Sequence, residues 1–305
     1  MQSTYLLLAA VTPFVVLDTW YTGTYLFWAM KVSIIAYLFI FVVLPIIFHY
    51  SYTFQRKILF LNFVQWPLNV DLTKPESVGL KGARNFYLKT HQDIKIGVWQ
   101  ILPQSLLNDS AIINDDDYDS VLSNAKQPVF LYMHGNSGNR ASRHRLELYK
   151  LFQTLDYHVI CFDYRGYGDS EEAELSEMGV VTDSKYLLEW LLKKVNGSAP
   201  VFVWGHSLGT GVSTHVLALL AAENVQPAGL FLESPFNNIA EELSEHPLAQ
   251  LYKAAINYHG NNTDRIQFTR INSSYGLGHK YICHYKELPN IIKLFVEKTH
   301  KNQTD

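Results

Sequence analysis

The sequence predicts an α/β fold, a mostly parallel sheet with helices on both faces, preceded by an N-terminal transmembrane helix. Two observations lead to this prediction. An uncharged apolar segment lies near the N-terminus, and further along the chain short apolar runs alternate with helical patterns. The apolar runs are 128–135, 157–164, 200–207 and 228–235, and the helical patterns are 143–155, 178–195 and 208–222. Such alternation is typical of a parallel sheet whose strands are connected by helices.

The composition limits the class of protein. The chain has 305 residues with 48% hydrophobic and 14% aromatic content, which fits one large core plus additional apolar sequence. Its formal net charge of −3 provides no basic surface, so we expect no nucleic-acid partner. Two cysteines are too few for a disulfide framework, and Cys161 lies in an apolar run that predicts a buried thiol.

The N-terminal region predicts a membrane anchor. From Val32 to Gln55 there is no Asp, Glu, Lys or Arg, so we predict a transmembrane helix over 32–55. A buried core helix is the alternative. Residues 1–31 form a further hydrophobic segment, within which a second, shorter membrane segment over 5–17 is an open alternative. A cleaved signal peptide is not expected, because no Lys or Arg precedes residues 5–17.

The orientation of this anchor stays open from the residues alone. Lys31 precedes the span while Arg56 and Lys57 follow it, which favours a cytosolic C-terminal domain. Five N-x-S/T sequons favour the opposite orientation, because glycans are added to lumenal domains. They begin at Asn108, Asn196, Asn261, Asn272 and Asn302.

Residues 56–305 are predicted to form the α/β domain. Two antiparallel strands, 85–90 and 94–103, open it. Residues 106–127 are predicted to be a polar loop, in which the acidic run 114–119 is a solvated surface rather than a calcium site.

The stretch GHSLG (205–209) is the strongest catalytic signal. It follows a predicted strand and precedes a predicted helix, the setting in which G-x-S-x-G forms a strained turn that exposes a nucleophilic serine. Ser207 is the predicted nucleophile. The flanking Gly205 and Gly209 allow the strand and the helix to approach closely.

A second glycine-rich element agrees with this prediction. HGNSG (134–138) follows the strand 128–133, where this type of sheet supplies a donor to the oxyanion of acyl transfer. We therefore predict an oxyanion hole formed by the backbone N–H groups of Asn136 and Leu208. A phosphate-binding loop is the rival interpretation, but the G-K-[ST] ending is missing.

Longer stretches resemble one family, the α/β-hydrolase-domain lipases of the endoplasmic reticulum that hydrolyse lysophosphatidylserine and monoacylglycerol. They are HGNSGNRASRHRLELYKLF, VICFDYRGYGDS, WGHSLGTGVSTHV, LFLESPFNNI, GHKYICHYKELPNIIKLF and the segment 56–80. The resemblance implies an α/β-hydrolase fold, a single-pass anchor in the endoplasmic reticulum membrane and a glycosylated lumenal domain. It also implies a lipid substrate and no metal or organic cofactor.

The resemblance further identifies His279, in LGHKYI, as the general base. Its position after the last predicted strand, 265–271, and before a C-terminal helix over 286–298 is where this fold supplies its histidine. His134 and His206 flank the predicted site and are expected to shape it.

The catalytic acid is the missing element. The family places an aspartate between the serine and the histidine, but HPLAQ (246–250) runs directly into LYKAAINYHGNN, as though a segment near 250 were deleted. The sequence therefore does not identify the catalytic acid. Glu233, at the end of a strand, is a weak candidate for this role. The remaining alternatives are Asp264 and the polar-helix residues Glu241, Glu242 and Glu245.

The sequence thus predicts a serine hydrolase that cleaves acyl esters of single-chain lipids through an acyl-enzyme. Loss of the acid would impair it. One alternative is a non-catalytic membrane protein that keeps the fold and binds a lipid or a partner. The other is a cytosol-facing thioesterase or peptidase of the same fold.

Overall fold

The computed structural model describes residues 22–107, 114–235, 277 and 280–304. These residues belong to two compact units, Met1–Leu59 and Phe60–Asp305. The first unit contains helix α1, Thr22–Tyr50, and helix α2, Tyr52–Leu59. The second unit contains the sheet and all other helices and strands of the described residues.

Helix α1 is long and apolar enough to cross a membrane. Its 29 residues correspond to about 43 Å at 1.5 Å per residue, more than a hydrocarbon core of roughly 30 Å requires. A π-helical turn, Phe39–Val43, lies within it, and the helix ends where Ser51 adopts extended backbone angles. The helix includes Trp28 and Lys31, which the sequence placed before the predicted span over 32–55.

The second unit is built on a six-stranded sheet with the order β1-β2-β4-β3-β5-β6. The strands are β1 Ala83–Lys89, β2 Lys95–Ile101, β3 Val129–Met133, β4 His158–Phe162, β5 Val201–His206 and β6 Gly229–Glu233. β1 and β2 form the predicted antiparallel pair, and β4, β3, β5 and β6 pair in parallel. The predicted α/β architecture is confirmed, with β5 near the centre of the parallel part.

Helices cover both faces of this sheet. They are α3 Asp115–Ser123, α4 Arg143–Thr154, α5 Glu177–Val195, α6 Leu208–Ala222 and α7 Leu288–Thr304. Consecutive residues of β5 show which helices share a face, because side chains alternate along a strand. Trp204 contacts Phe152 of α4, whereas Gly205 faces Ser213 of α6. Helices α4 and α6 therefore lie on opposite faces.

The prediction of a loop over 106–127 was wrong for its acidic part, which forms helix α3. Asn114 caps this helix by accepting hydrogen bonds from the backbone N–H groups of Asp116 and Asp117. The Asp117 side chain in turn accepts from the Asn114 N–H at 2.9 Å. This capping box, with three aspartates in the first turn, stabilises the positive end of the helix.

Aromatic side chains form the core between the sheet and helices α4 and α7. Phe130 stacks on Phe152 and Phe202, with ring centroids 4.6 and 5.2 Å apart, and Trp204 stacks on Phe231 at 5.2 Å. Large aromatic rings bury much apolar area with few rotatable bonds. The strands that lead to HGNSG and GHSLG are therefore held in a rigid layer.

Candidate active site

Ser207 lies at a sharp turn between β5 and α6. Its backbone angles, φ 52° and ψ −117°, fall in a region that residues other than glycine rarely occupy. The Ser207 N–H donates to the Glu233 carbonyl of β6 at 3.0 Å, and Thr210 closes the turn by donating to the Ser207 carbonyl. The strained conformation is thus fixed by bonds on both sides, and the serine stays partly exposed at the carboxyl end of the sheet.

The two glycines of GHSLG make this turn sterically possible. A Cβ atom added to Gly205 would lie 2.4 Å from the Gly209 carbonyl oxygen. One added to Gly209 would lie 2.1 Å from the Met133 carbonyl oxygen at the end of β3. Both distances are far below van der Waals contact, so α6 packs against β3 and β5 at a separation that only glycine permits.

The HGNSG loop lies directly against the serine. A Cβ atom added to Gly135 would lie 3.3 Å from the Ser207 Cβ. The Gly135 carbonyl points inward, where it accepts hydrogen bonds from His134 Nδ1 at 2.6 Å and from Arg145 Nη2 at 3.5 Å. In a trans peptide the C=O and the next N–H point in opposite directions, so the Asn136 N–H points outward.

The second predicted donor is oriented by the same principle. The Ser207 carbonyl accepts hydrogen bonds from the Thr210 N–H at 2.8 Å and the Thr210 hydroxyl at 2.6 Å. This carbonyl therefore points along α6, and the Leu208 N–H points out of the helix N-terminus. Backbone N–H groups at such a terminus stabilise developing negative charge.

A buried arginine that the sequence did not single out organises the loop. Arg145 of α4 is 2% exposed and donates to the carbonyls of Asn139 and Ser137, both at 2.6 Å, in addition to that of Gly135. One guanidinium thus fixes three carbonyls and, through them, the direction of the loop N–H groups. No short motif marks such an interaction, because it depends on tertiary structure.

We expect Arg145→Lys to slow hydrolysis without changing substrate affinity. A single ammonium cannot bind three carbonyls in the fixed geometry of a guanidinium, so the Asn136 N–H would lose its orientation. The expected fall in kcat is about tenfold to hundredfold, a fraction of what removing an oxyanion donor costs. Steady-state kinetics, with thermal denaturation to confirm folding, test this. A folded variant with wild-type kcat would contradict the role.

The two histidines beside the site are held in structural roles. His134 is buried, its Nδ1–H donates to Gly135, and its Nε2 accepts from the Tyr164 N–H at 3.3 Å. Burial holds the pKa of His134 well below its usual range, so this ring stays neutral. His206 is also buried, on the same face of β5 as Trp204, with its ring 5.5 Å from that of His144.

Glu233 is buried at the end of β6, next to the turn that carries Ser207. The residue is 3% exposed, and its carboxyl accepts a hydrogen bond from Trp204 Nε1 at 2.8 Å. Burial is the main cause that raises the pKa of Glu233 to about 8. At neutral pH this carboxyl is mostly protonated, which makes it a poor partner for an imidazolium.

Glu233→Gln is expected to stabilise the protein at high pH. Between pH 4.5 and about 8 only the folded state keeps the Glu233 proton, so the stability of the wild type falls as pH rises through this window. Glutamine has no proton to lose. At about 1.36 kcal/mol per pKa unit, the variant should gain roughly 3–5 kcal/mol above pH 8. Urea unfolding at pH 5, 7 and 9 measures the difference, and an equal gain at all three values would contradict it.

The other predicted residues fall where the structure gives no description. His279, Asp264, Glu241, Glu242 and Glu245 all lie outside the described residues. Within the described residues, one group of side chains could hold a metal ion, namely Glu147, Cys283 and His284, whose ligand atoms lie within 4.8 Å of one another. Glu147 there accepts from Arg143 and pairs with His284.

Comparisons with known proteins give a coherent result. Residues 128–271 match the family model described as the alpha/beta hydrolase fold. Lysophosphatidylserine lipase ABHD12 of Danio rerio is 32% identical over 329 residues, covering 90% of this chain and 85% of the relative. The Xenopus tropicalis lipase of that name is 41% identical over 224 residues, covering 73% of this chain and 57% of the relative. Among solved structures, an α/β hydrolase from Vibrio vulnificus is 18% identical, covers 67% of each chain and has a TM-score of 0.49.

The alignments also differ in length. The Danio rerio alignment has 329 positions but includes only 90% of 305 residues, so about 55 positions face gaps in this chain. In six further lipases of the same name, the matched region is 49–59% of the relative's length. These relatives therefore contain sequence with no counterpart in the matched part of this chain.

Proposed function

The chain belongs to the α/β-hydrolase family of the lysophosphatidylserine lipase ABHD12, and from this premise we propose that it hydrolyses acyl esters of single-chain lipids. The observation that carries the proposal is the backbone of Ser207, held at φ 52° between a central strand and a helix. Strain of this kind costs on the order of 1–3 kcal/mol and persists at sites where it serves a function. Here the strained turn presents the Ser207 hydroxyl at the carboxyl end of the sheet, beside the HGNSG loop.

Ester hydrolysis would proceed in two halves. The Ser207 Oγ attacks the acyl carbonyl, and the carbonyl oxygen becomes an oxyanion that accepts from the Asn136 and Leu208 N–H groups. The proposed base His279 takes the Ser207 proton and returns it to the departing oxygen, so collapse of this intermediate breaks the ester C–O bond, releases the lysolipid head as an alcohol and leaves the acyl group on Ser207. Water then attacks the acyl-enzyme and releases the fatty acid.

Hydrolysis also needs a general base and an acid that orients it. We assign the general base to His279, and the family pattern and the chain order support this assignment. Glu233 is a poor partner for the His279 imidazole, because its carboxyl accepts a hydrogen bond from Trp204 and its pKa is raised to about 8. Without an ionised acid to orient the imidazole, acylation and deacylation would both be slow.

Lipids with one acyl chain fit the proposed anchor. Each buried CH₂ group holds a lipid in the bilayer by about 0.8 kcal/mol, so a single-chain lipid leaves far more readily than one with two chains. Lysophosphatidylserine, the substrate named for the relatives, and monoacylglycerol are both of this class.

Substrate choice tests the proposal directly. Membranes from cells that express the chain should release fatty acid from lysophosphatidylserine at least about tenfold faster than from diacyl phosphatidylserine. Mass spectrometry of the released acid measures both rates. Equal rates would overturn the single-chain preference, and cleavage of short thioesters alone would favour a thioesterase.

We further propose that α1 anchors the chain in the endoplasmic reticulum membrane with the α/β unit in the lumen. Endoglycosidase treatment should then increase gel mobility, because five sequons would face the glycosylation machinery. An unchanged mobility, together with cleavage of the unit by protease added to the cytosolic side, would place it on the other face.

A non-catalytic membrane protein is the second candidate function. Its support is the protonated Glu233 and the roughly 55 aligned positions that this chain lacks. A fluorophosphonate probe separates the two, since it reacts only with an activated serine. Absence of labelling in the folded chain, with lipid binding retained, would favour this candidate.

A further inference from the structure

A short uncharged segment follows the anchor region in the chain and is hydrogen-bonded to the loop beside Ser207. The strap, defined here as residues 61–70, has the sequence LNFVQWPLNV, and no Asp, Glu, Lys or Arg occurs from Ile58 to Val70. Only ten residues of chain separate Leu61 from the end of α1 at Tyr50. The strap is therefore tethered by a short stretch of chain to the helix proposed to cross the membrane.

The backbone of the strap is bonded to the HGNSG loop. The Leu61 N–H donates to the Asn136 carbonyl at 2.9 Å, and the Gly138 N–H donates to the Val64 carbonyl at 2.8 Å. The Ser142 hydroxyl donates to the Trp66 carbonyl at 2.9 Å. These bonds extend from Asn136 to Ser142, so a displacement of the strap moves the loop that carries an oxyanion donor.

Three apolar side chains of the strap are exposed. Phe63, Trp66 and Leu68 are 66%, 65% and 63% exposed, three large apolar groups within six residues. Aromatic and aliphatic side chains on an uncharged segment suit the lipid–water interface, where apolar groups are buried and no charge must be desolvated.

We propose that the strap docks on a lipid leaflet and holds the oxyanion loop at the membrane surface. Phe63, Trp66 and Leu68 insert among the acyl chains, and the backbone bonds transmit this position to Asn136. A lysolipid leaving that leaflet then meets Ser207 without crossing bulk water. The docking rests on α1 crossing the membrane, and the role in delivery rests in addition on the proposed function.

Photo-crosslinking tests the docking independently of catalysis. The full chain in its membrane, with p-benzoylphenylalanine placed at position 66, should form lipid adducts on illumination. Position 294 is the matched control, because Leu294 of α7 is 67% exposed but lies outside the strap. Equal lipid adducts at both positions, or an adduct at position 66 with a second copy of the chain or another protein, would overturn the proposal.

Kinetics test the coupling to delivery. The triple variant Phe63→Ser, Trp66→Ser, Leu68→Ser should raise the KM for lysophosphatidylserine in bilayers at least about tenfold, as expected when interfacial anchoring is lost. Hydrolysis of water-soluble p-nitrophenyl butyrate should stay within about twofold, which shows that the variant folds. Leu294→Ser should change neither. Equal losses on both esters would overturn delivery, whereas a wild type inactive on both would refute the proposed function and leave the crosslinking result standing.

Discussion

Ser207→Ala is expected to abolish hydrolysis of lysophosphatidylserine and labelling by a fluorophosphonate probe. The substitution removes the only oxygen that the turn between β5 and α6 presents as a nucleophile, while alanine preserves the Cβ and the backbone bonds. Losses within a triad are not additive, so without an effective acid the loss of the serine should lower kcat by a further factor of roughly 10², down to the residual background. Fatty acid release and gel fluorescence measure the two effects.

Ser120→Ala serves as the control for this variant. Ser120 is an exposed residue of α3, outside the HGNSG and GHSLG stretches, and its loss should leave both signals intact. Thermal denaturation should show that all three proteins fold. Retained hydrolysis in Ser207→Ala would show that another residue is the nucleophile.

Gly209→Ala is expected to produce the largest loss of stability among single methyl additions on α6. The new Cβ would lie 2.1 Å from the Met133 carbonyl oxygen and 2.7 Å from the Met133 carbonyl carbon, and backbone atoms cannot rotate away. Helix α6 must therefore shift away from β3, at a cost of roughly 3 kcal/mol or more. Because Ser207 and the HGNSG loop meet at this contact, activity should fall with stability.

The same helix provides a matched control. Gly211 lies two residues further along α6, and a Cβ atom added there would have nothing within 4 Å. Gly211→Ala should raise the free energy of unfolding by about 0.5–1 kcal/mol, since alanine is the better helix former. Urea denaturation compares the two variants. Similar effects at both positions would show that close packing of Gly209 is not required.

Local signals in the sequence were sufficient for the central part of the fold. The four buried strands were predicted because apolar runs of this length alternate with helical patterns. GHSLG was predicted as a turn because a strand precedes it and a helix follows. These features depend on residues that are neighbours in the chain, so the sequence contains the information directly.

Features that depend on distant contacts were missed. Arg145 lies in a helical pattern that says nothing of the three carbonyls it reaches, and no local pattern in the segment 56–80 indicates its hydrogen bonds to the HGNSG loop. The acidic run 114–119 was assigned to a loop because its charge suggested solvation. Asn114 and Asp117 instead form the reciprocal hydrogen bonds of a capping box, which start a helix. The total charge of the run does not reveal this pair.

The position of Glu233 was predicted, but its environment was not. The strand that ends there could be identified from its apolar residues, whereas the side chain's burial and its bond to Trp204 follow from packing between neighbouring strands. The burial that results raises the pKa of Glu233. The assignment of His279 as general base remains a prediction.

Trapping the acyl-enzyme tests the central claim most directly. The chain in membranes is mixed with lysophosphatidylserine that carries an isotope-labelled acyl group, quenched in acid within seconds and digested for tandem mass spectrometry. We predict that the peptide containing Ser207 gains the labelled acyl group with loss of the hydroxyl proton, and that Ser207→Ala shows no such peptide. Two results would contradict the account. One is release of labelled fatty acid by the unmodified chain with no acyl group on Ser207, and the other is the label on a different residue such as Cys283.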